Sequence, residues 1–188
     1  MTKQIQLPLD REAVKKLKVG EKVLLSGIMY TSRDAAHKRM LEQKDAGIDF
    51  PMEIKDVAIY YAGPAPAKPG QPIGSCGPTT SGRMDAYAPR MMAYGQTVMI
   101  GKGLRSQEVI EAMKKEGAVY LTAVGGAGAL LAKSIKEAEC IAYEDLGAEA
   151  IYKLKVEDFP AIVTIDSEGN NLYELGKKEF CEIEIDKK

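Results

Sequence analysis

Short apolar runs alternate with helix-forming segments along most of this chain, and that rhythm restricts it to a layered α/β architecture. Val23 to Met29, Val57 to Tyr61, Thr97 to Ile100, Val119 to Val124, Cys140 to Tyr143 and Ile162 to Ile165 read as strands. Between them lie helical signals: Asp10 caps a short helix to Leu17, and Thr31 and Ser32 offer hydroxyl caps for a helix from Arg33 to Asp45, closed by Gly47. Ser106 caps a helix ending near Gly117, and Ala127 to Ile135 reads as a small-residue helix. The turn Asp166-Ser167-Glu168-Gly169-Asn170 followed by Leu172 to Leu175 suggests a closing hairpin.

One segment breaks the rhythm. Six of the nine prolines and eight of the 18 glycines fall between Gly63 and Gly103, and Lys68 is the only charged side chain from Ala62 through Gly82. A connection this long is usually functional or disordered, and disorder brings more charge than this. An ordered functional loop is the expectation.

Composition narrows the function. The 188 residues form one expected domain, 1–188, with 26 basic and 27 acidic side chains and a net charge of −1. A chain of this size buries roughly 70% of its unfolded surface, so it needs no metal or disulfide staple. Balanced charge argues against a nucleic-acid partner. The uncharged stretch from Ala118 to Ala132 falls short of the ~20 apolar residues of a membrane span. Cys76, Cys140 and Cys181 are scattered, the start lacks a signal-like apolar core, and there is one histidine. Together these point to a soluble cytoplasmic protein that holds no metal of its own.

Four constellations carry possible chemistry. In Thr31-Ser32-Arg33-Asp34-Ala35-Ala36-His37 a helix start would place Arg33 beside free N–H groups, and His37 one turn further on. Such a start suits an anion; the plainer alternative is an Arg33 paired with a carboxylate and a hydrogen-bonded His37. In Gly77-Pro78-Thr79-Thr80-Ser81-Gly82-Arg83-Met84-Asp85 a helix entrance at Pro78 would set Thr79 and Arg83 on one face. That arrangement is a carboxylate or phosphate site, or else a capped helix with a surface arginine. Lys102 stands between Gly101 and Gly103 at a strand end, where α/β sheets place ligands; taken alone, a turn with a solvated lysine is the plainer reading. The turn Gly125-Gly126-Ala127-Gly128 resembles a dinucleotide-binding turn, but Leu131 stands where a third small residue belongs. Tight strand–helix packing or another anion-facing turn is the preferred reading there, with a non-catalytic dinucleotide- or anion-binding module as the alternative. Arg33, Arg83 and Lys102 thus form three cations on three loops, with Asp34 and Asp85 as the near acids. A ligand with two carboxylates would satisfy them, yet no nucleophile, base pair or metal cage accompanies them.

These motifs resemble the β subunit, equivalently the C-terminal domain, of iron–sulfur class I fumarate hydratases and their L-tartrate dehydratase relatives. The resemblance rests on Thr31 to Arg39, Tyr61-Ala62-Gly63-Pro64, Gly77 to Asp85, Ile100-Gly101-Lys102 and Ala123 to Ala127, and covers nearly the whole chain. Tyr143 to Ile151 and Ala123-Val124-Gly125-Gly126 look more like the fumarase branch than the tartrate branch. The resemblance implies a swivelling β/β/α domain with a mixed sheet and flanking helices. It also implies a hydro-lyase of the tricarboxylic acid cycle that hydrates fumarate to L-malate. A 4Fe–4S cluster would be ligated by three cysteines of an α subunit, with none bound by this chain and an α2β2 heterotetramer as the assembly. Arg33, Thr79, Thr80, Arg83 and Lys102 would bind the dicarboxylate. Thr79 would handle the proton at the carbon beside the hydroxyl, and His37 and Asp34 would support Arg33 from behind.

Overall fold

The computed structural model describes residues 2–124 and 126–180. Seven strands form one mixed sheet: β1 (Thr2–Gln6), β2 (Lys22–Thr31), β3 (Ala58–Tyr60), β4 (Val98–Gly101), β5 (Val119–Thr122), β6 (Ile135–Ala142) and β7 (Ile151–Ile165). The first five are parallel neighbours in chain order. β7 runs antiparallel and pairs with both β5 and β2: Ile162 faces Thr122 on one side and Lys22 on the other. The sheet therefore closes into a ring of β2, β3, β4, β5 and β7, and β6 hangs on β7 as a hairpin partner.

Strand periodicity divides the core in two. Ala58, Tyr60, Val98, Ile100, Val119 and Leu121 pack with Leu25, Met29, Leu154, Phe159 and Val163 in a cluster supplied by all five ring strands. The alternate residues Ile59, Met99 and Tyr120 pack on the helices α2 (Asp34–Asp45), α3 (Ala88–Tyr94) and α4 (Gln107–Glu116). The remaining helices are α1 (Arg11–Val14), α5 (Gly128–Ala132) and α6 (Leu172–Phe180). The expected mixed α/β class with flanking helices is what forms.

Several local expectations hold. Asp10 caps α1 by accepting from Ala13 N, and Ser106 caps α4, which ends at left-handed Gly117. Others are corrected. Thr31 and Ser32 do not cap α2; Arg33 takes that position without a side-chain bond. Thr31 Oγ1 instead donates to the Ala150 carbonyl and accepts from Tyr152 N, which leaves it turned toward β7 and away from the helix start. No helix begins at Pro78. That residue bridges to Ala62, Thr80 bridges to Lys102, and a 3₁₀ turn spans Ser81–Met84. The next helix, α3, starts at Ala88 with Pro89 in its first turn. The expected final strand from Leu172 is helix α6, since the Asn171 side chain accepts from Tyr173 N in a helix-start geometry. β6 and β7 extend well beyond Cys140–Tyr143 and Ile162–Ile165. The helix expected from Ala127 to Ile135 shortens to α5, because Ile135 opens β6.

The proline-rich segment is an ordered excursion between β3 and the 3₁₀ turn. Ala65 N donates to the Ser75 carbonyl (2.9 Å), Gly74 N to the Ala65 carbonyl (3.1 Å), and the Tyr60 hydroxyl to the Cys76 carbonyl (2.8 Å). A Cβ on Gly74 would stand 2.4 Å from the Pro66 carbonyl, so only glycine allows the fold-back.

Candidate functional site

Parallel β2, β3 and β4 point the same way, so the residues that follow them emerge on one edge of the sheet. Arg33 follows β2, Gly63 follows β3 and Lys102 follows β4. The segment carrying Thr79, Thr80 and Arg83 is laced between the latter two. Thr79 N donates to the Tyr61 carbonyl (2.7 Å), Lys102 N to the Thr79 carbonyl (3.3 Å) and Ser81 N to the Lys102 carbonyl (2.9 Å). Thr79 and Arg83 do not share a helix face as the sequence suggests; main-chain bonds to the strand ends place them instead.

Asp34 joins two of the three cations. Its Oδ2 accepts from Arg83 Nη2, and its Oδ1 lies 3.9 Å from Arg33 Nε. That second separation is too long for a hydrogen bond, and both atoms are buried without a partner. Arg33 Nη2 is also 3.3 Å from Glu149, whose other oxygen accepts from Ala35 N (3.0 Å). The near acids are therefore Asp34 and Glu149. Asp85, considered for this role from sequence, pairs with Arg105 instead (2.7 Å). Gly63 permits the packing of Arg33, because a Cβ there would stand 2.7 Å from Nη1 and 2.9 Å from the Ala148 carbonyl. Lys102 and Arg83 are exposed, and Thr79 is half-buried.

His37 lies behind this surface, fully buried. Its Nδ1 is 2.8 Å from Ser32 Oγ and 3.0 Å from the Arg33 carbonyl. A carbonyl can only accept, so Nδ1 carries the hydrogen and His37 braces the Arg33 main chain. Burial pushes the imidazole down to about 4; the Arg33 carbonyl opposes this and Arg105 reinforces it. The unfolded histidine binds its proton near 6.5, so the native state loses stability as pH falls from about 6.5 toward 4, on the order of 3 kcal/mol in all. Urea unfolding across that range should show the loss in the wild type. His37→Gln should lack that component and keep only the carboxylate contribution.

Gly126-Ala127-Gly128 does not form an open dinucleotide turn. Cys76 N donates to the Gly128 carbonyl (3.1 Å), and a Cβ on Gly128 would meet Ser75 Oγ at 2.6 Å and Gly77 N at 2.9 Å. Gly128 packs against the Ser75–Gly77 loop rather than in a strand–helix contact, a Cβ on Gly126 would meet nothing, and α5 has only five residues. Gly125 lies outside the described residues. Among the described residues no three His, Cys, Asp or Glu side chains converge on a metal position. The Cys76 thiol is buried and pushed up to about 12, and Cys140 is exposed on β6. Cys181 lies outside the described residues. No helix is long and apolar enough to cross a membrane among the described residues.

A cavity of about 580 Å³ lies under the proline-rich segment, between Pro66, Ile73 and Ser75 and Lys133 and Ile135. The cations lie outside it on an open face. Arg33 and Arg83 meet at Asp34, and Lys102 stands on the neighbouring loop, its main chain beside Thr79 and Thr80.

The family model described as "Fumarase C-terminus" matches residues 1–176. The chain belongs to this fumarase C-terminal family. It is 48% identical over 165 residues to "Fumarate hydratase class I, anaerobic" of Escherichia coli (strain K12), a match covering 87% of this chain and 30% of that protein. "Fumarate hydratase 2" of Leishmania major is 43% identical over 173 residues, 90% of this chain and 30% of that protein. A Methanocaldococcus jannaschii protein provisionally named L(+)-tartrate dehydratase subunit beta is 38% identical over 180 residues, covering 93% of this chain and 92% of that protein. The chain thus spans about 30% of the length of the curated fumarate hydratases it matches, and nearly all of the subunit. As a member of the fumarase C-terminal family it is related to hydro-lyases.

Sequence reasoning missed Glu149 and Gly63 as partners of Arg33. Both fall inside the motifs that carry the resemblance, Tyr143 to Ile151 and Tyr61 to Pro64. Only the fold reveals that they meet.

Proposed function

We propose that this chain is the β subunit of a class I fumarate hydratase and forms the carboxylate-binding wall of a site completed by an α subunit. The observation that carries the reading is the Arg33–Asp34–Arg83 cluster at the strand ends, beside Thr79, Thr80 and Lys102. An exposed guanidinium at Arg83 and a largely buried one at Arg33, joined by Asp34, suit a planar dicarboxylate. Substrate carboxylates would take over the guanidinium donors now turned to Asp34. The Lewis acid at the substrate hydroxyl would be the iron of a 4Fe–4S cluster carried by the α subunit.

In this scheme Arg33, Arg83 and Lys102 hold the two carboxylates. Thr79 Oγ1 faces the carbon next to the hydroxyl-bearing one. In dehydration Thr79, held as its alkoxide by the neighbouring cations, takes the proton from that carbon and becomes the hydroxyl, and the substrate hydroxyl leaves as water with a proton from the partner's side. Hydration runs the same steps backward. The cations lower the cost of negative charge near Thr79, which a lone hydroxyl could not carry. The complex would act in the cytoplasm as an α2β2 heterotetramer.

The higher identity to fumarate hydratases supports fumarate as substrate. The near-complete match to a tartrate dehydratase β subunit supports a separate chain and keeps L-tartrate as the second reading. Anaerobic co-expression with the α chain, assayed on fumarate, L-malate and L-tartrate, decides between them. Turnover of fumarate and L-malate is expected. Turnover of L-tartrate alone would replace the proposal with the second reading, and no turnover of any would remove both.

A further inference from the structure

A buried polar seam runs behind the cationic face, and no step of the scheme above uses it. At its centre is Arg105, whose side chain is 0% exposed. Its Nε donates to Asp85 Oδ1 (2.7 Å), its Nη1 lies 3.3 Å from Met99 Sδ, and its guanidinium lies over the rings of Tyr120 (5.0 Å) and Tyr61 (5.5 Å). The second Asp85 oxygen accepts from Ser106 N (2.6 Å). The Tyr120 hydroxyl stands 2.9 Å from both Ser81 Oγ and the Gly103 carbonyl. Arg105 Nη2, the Tyr61 hydroxyl and Gln96 Oε1 are buried without a partner.

A buried guanidinium is expensive to desolvate, and an apolar residue of similar size often stabilises a fold as well or better. What this one joins explains its place. Asp85 ends the 3₁₀ turn that carries Arg83, and Arg105 stands three residues beyond Lys102. The Arg105–Asp85 pair therefore ties the Arg83 loop to the Lys102 loop from the inside. The Tyr120 hydroxyl makes a second tie between the same loops, through Ser81 and Gly103. Neither tie reaches the open face.

We propose that Arg105 is a positioning residue that fixes Arg83 relative to Lys102, and so sets the spacing at which the site reads two carboxylates. The inference rests on the fumarate hydratase reading for its kinetic consequence, but not for its geometry. Lysine keeps the charge but loses the Nε–H that bonds Asp85 and the planar face over the two rings.

The test uses the full α–β complex carrying Arg105→Lys, with Asp85→Asn as the second variant should the first misfold. Misplaced carboxylate-binding groups should raise KM for fumarate and the inhibition constant of succinate together, about 10–100-fold. A merely structural role would lower the active fraction, and hence kcat, with KM and the inhibition constant unchanged; that result overturns the proposal. Hydrogen exchange read on the same complexes should show amides 79–85 and 102–106 exchanging faster together in the variant. Unchanged exchange in both segments also overturns it. If the wild-type complex turns over no dicarboxylate, the functional reading fails, while the exchange measurement still decides whether Arg105 fixes the two loops.

Discussion

Arg33→Lys in the assembled complex is expected to lower kcat/KM for fumarate by about 10–150-fold, the loss of one charge-assisted carboxylate contact of roughly 1.5–3 kcal/mol. The position demands a guanidinium for geometric reasons. Nη2 is committed to Glu149, Gly63 leaves room for Nη1, and Nε is buried without a partner beside the equally unpartnered Asp34 Oδ1. A lysine delivers one ammonium and cannot serve both sides of that gap. Steady-state kinetics on the variant complex checks this, and wild-type kinetics would remove Arg33 from the site. Arg83→Lys should show a smaller loss, because Arg83 is more exposed and Asp34 is its single acidic partner among the described residues.

Gly101→Ala is expected to destabilise the chain by about 1–3 kcal/mol and to disturb the site at once. A Cβ at Gly101 would stand 2.0 Å from Ser81 Oγ, 3.3 Å from Ser81 Cβ and 3.1 Å from the Tyr61 ring. Ser81 cannot turn away freely, since its hydroxyl bonds Tyr120 and its main chain bonds Lys102. Relief must come from moving the segment that carries Thr79 and Arg83. Adding Ser81→Ala removes the closest atom, so the double variant should be less destabilised than the two single losses predict. Urea unfolding of the three variants measures this; strict additivity would show that the contact is not felt.

The two predictions also mark what was legible in the sequence. The apolar runs of β2 to β5 and the caps Asp10, Ser106 and Gly117 are local signals, and they stand in the fold where those signals put them. β7 is legible as a strand only from Ile162, because Lys153, Lys155, Glu157 and Asp158 interrupt its apolar content. Its burial alternates through those charges, as suits a strand with one wet face. The closure of the ring by β7 is a long-range pairing that no local pattern encodes. The cations were visible as Arg33, Arg83 and Lys102, each beside a glycine or hydroxyl. Their acids were not: Glu149 approaches Arg33 across 116 positions of sequence, and Asp85, the nearer candidate, turns inward to Arg105. Ser32, expected to cap a helix, instead meets His37 in the buried layer behind Arg33.

The central claim is that these cations are half of a hydratase site. Its most direct test is to purify this chain and its α partner separately under anaerobic conditions and follow fumarate absorbance before and after mixing. The account predicts a colourless chain with no activity alone and fumarate hydration that appears on mixing and is lost with Arg33→Lys. Hydration by the isolated chain, or a mixed complex indifferent to Arg33→Lys, would contradict it.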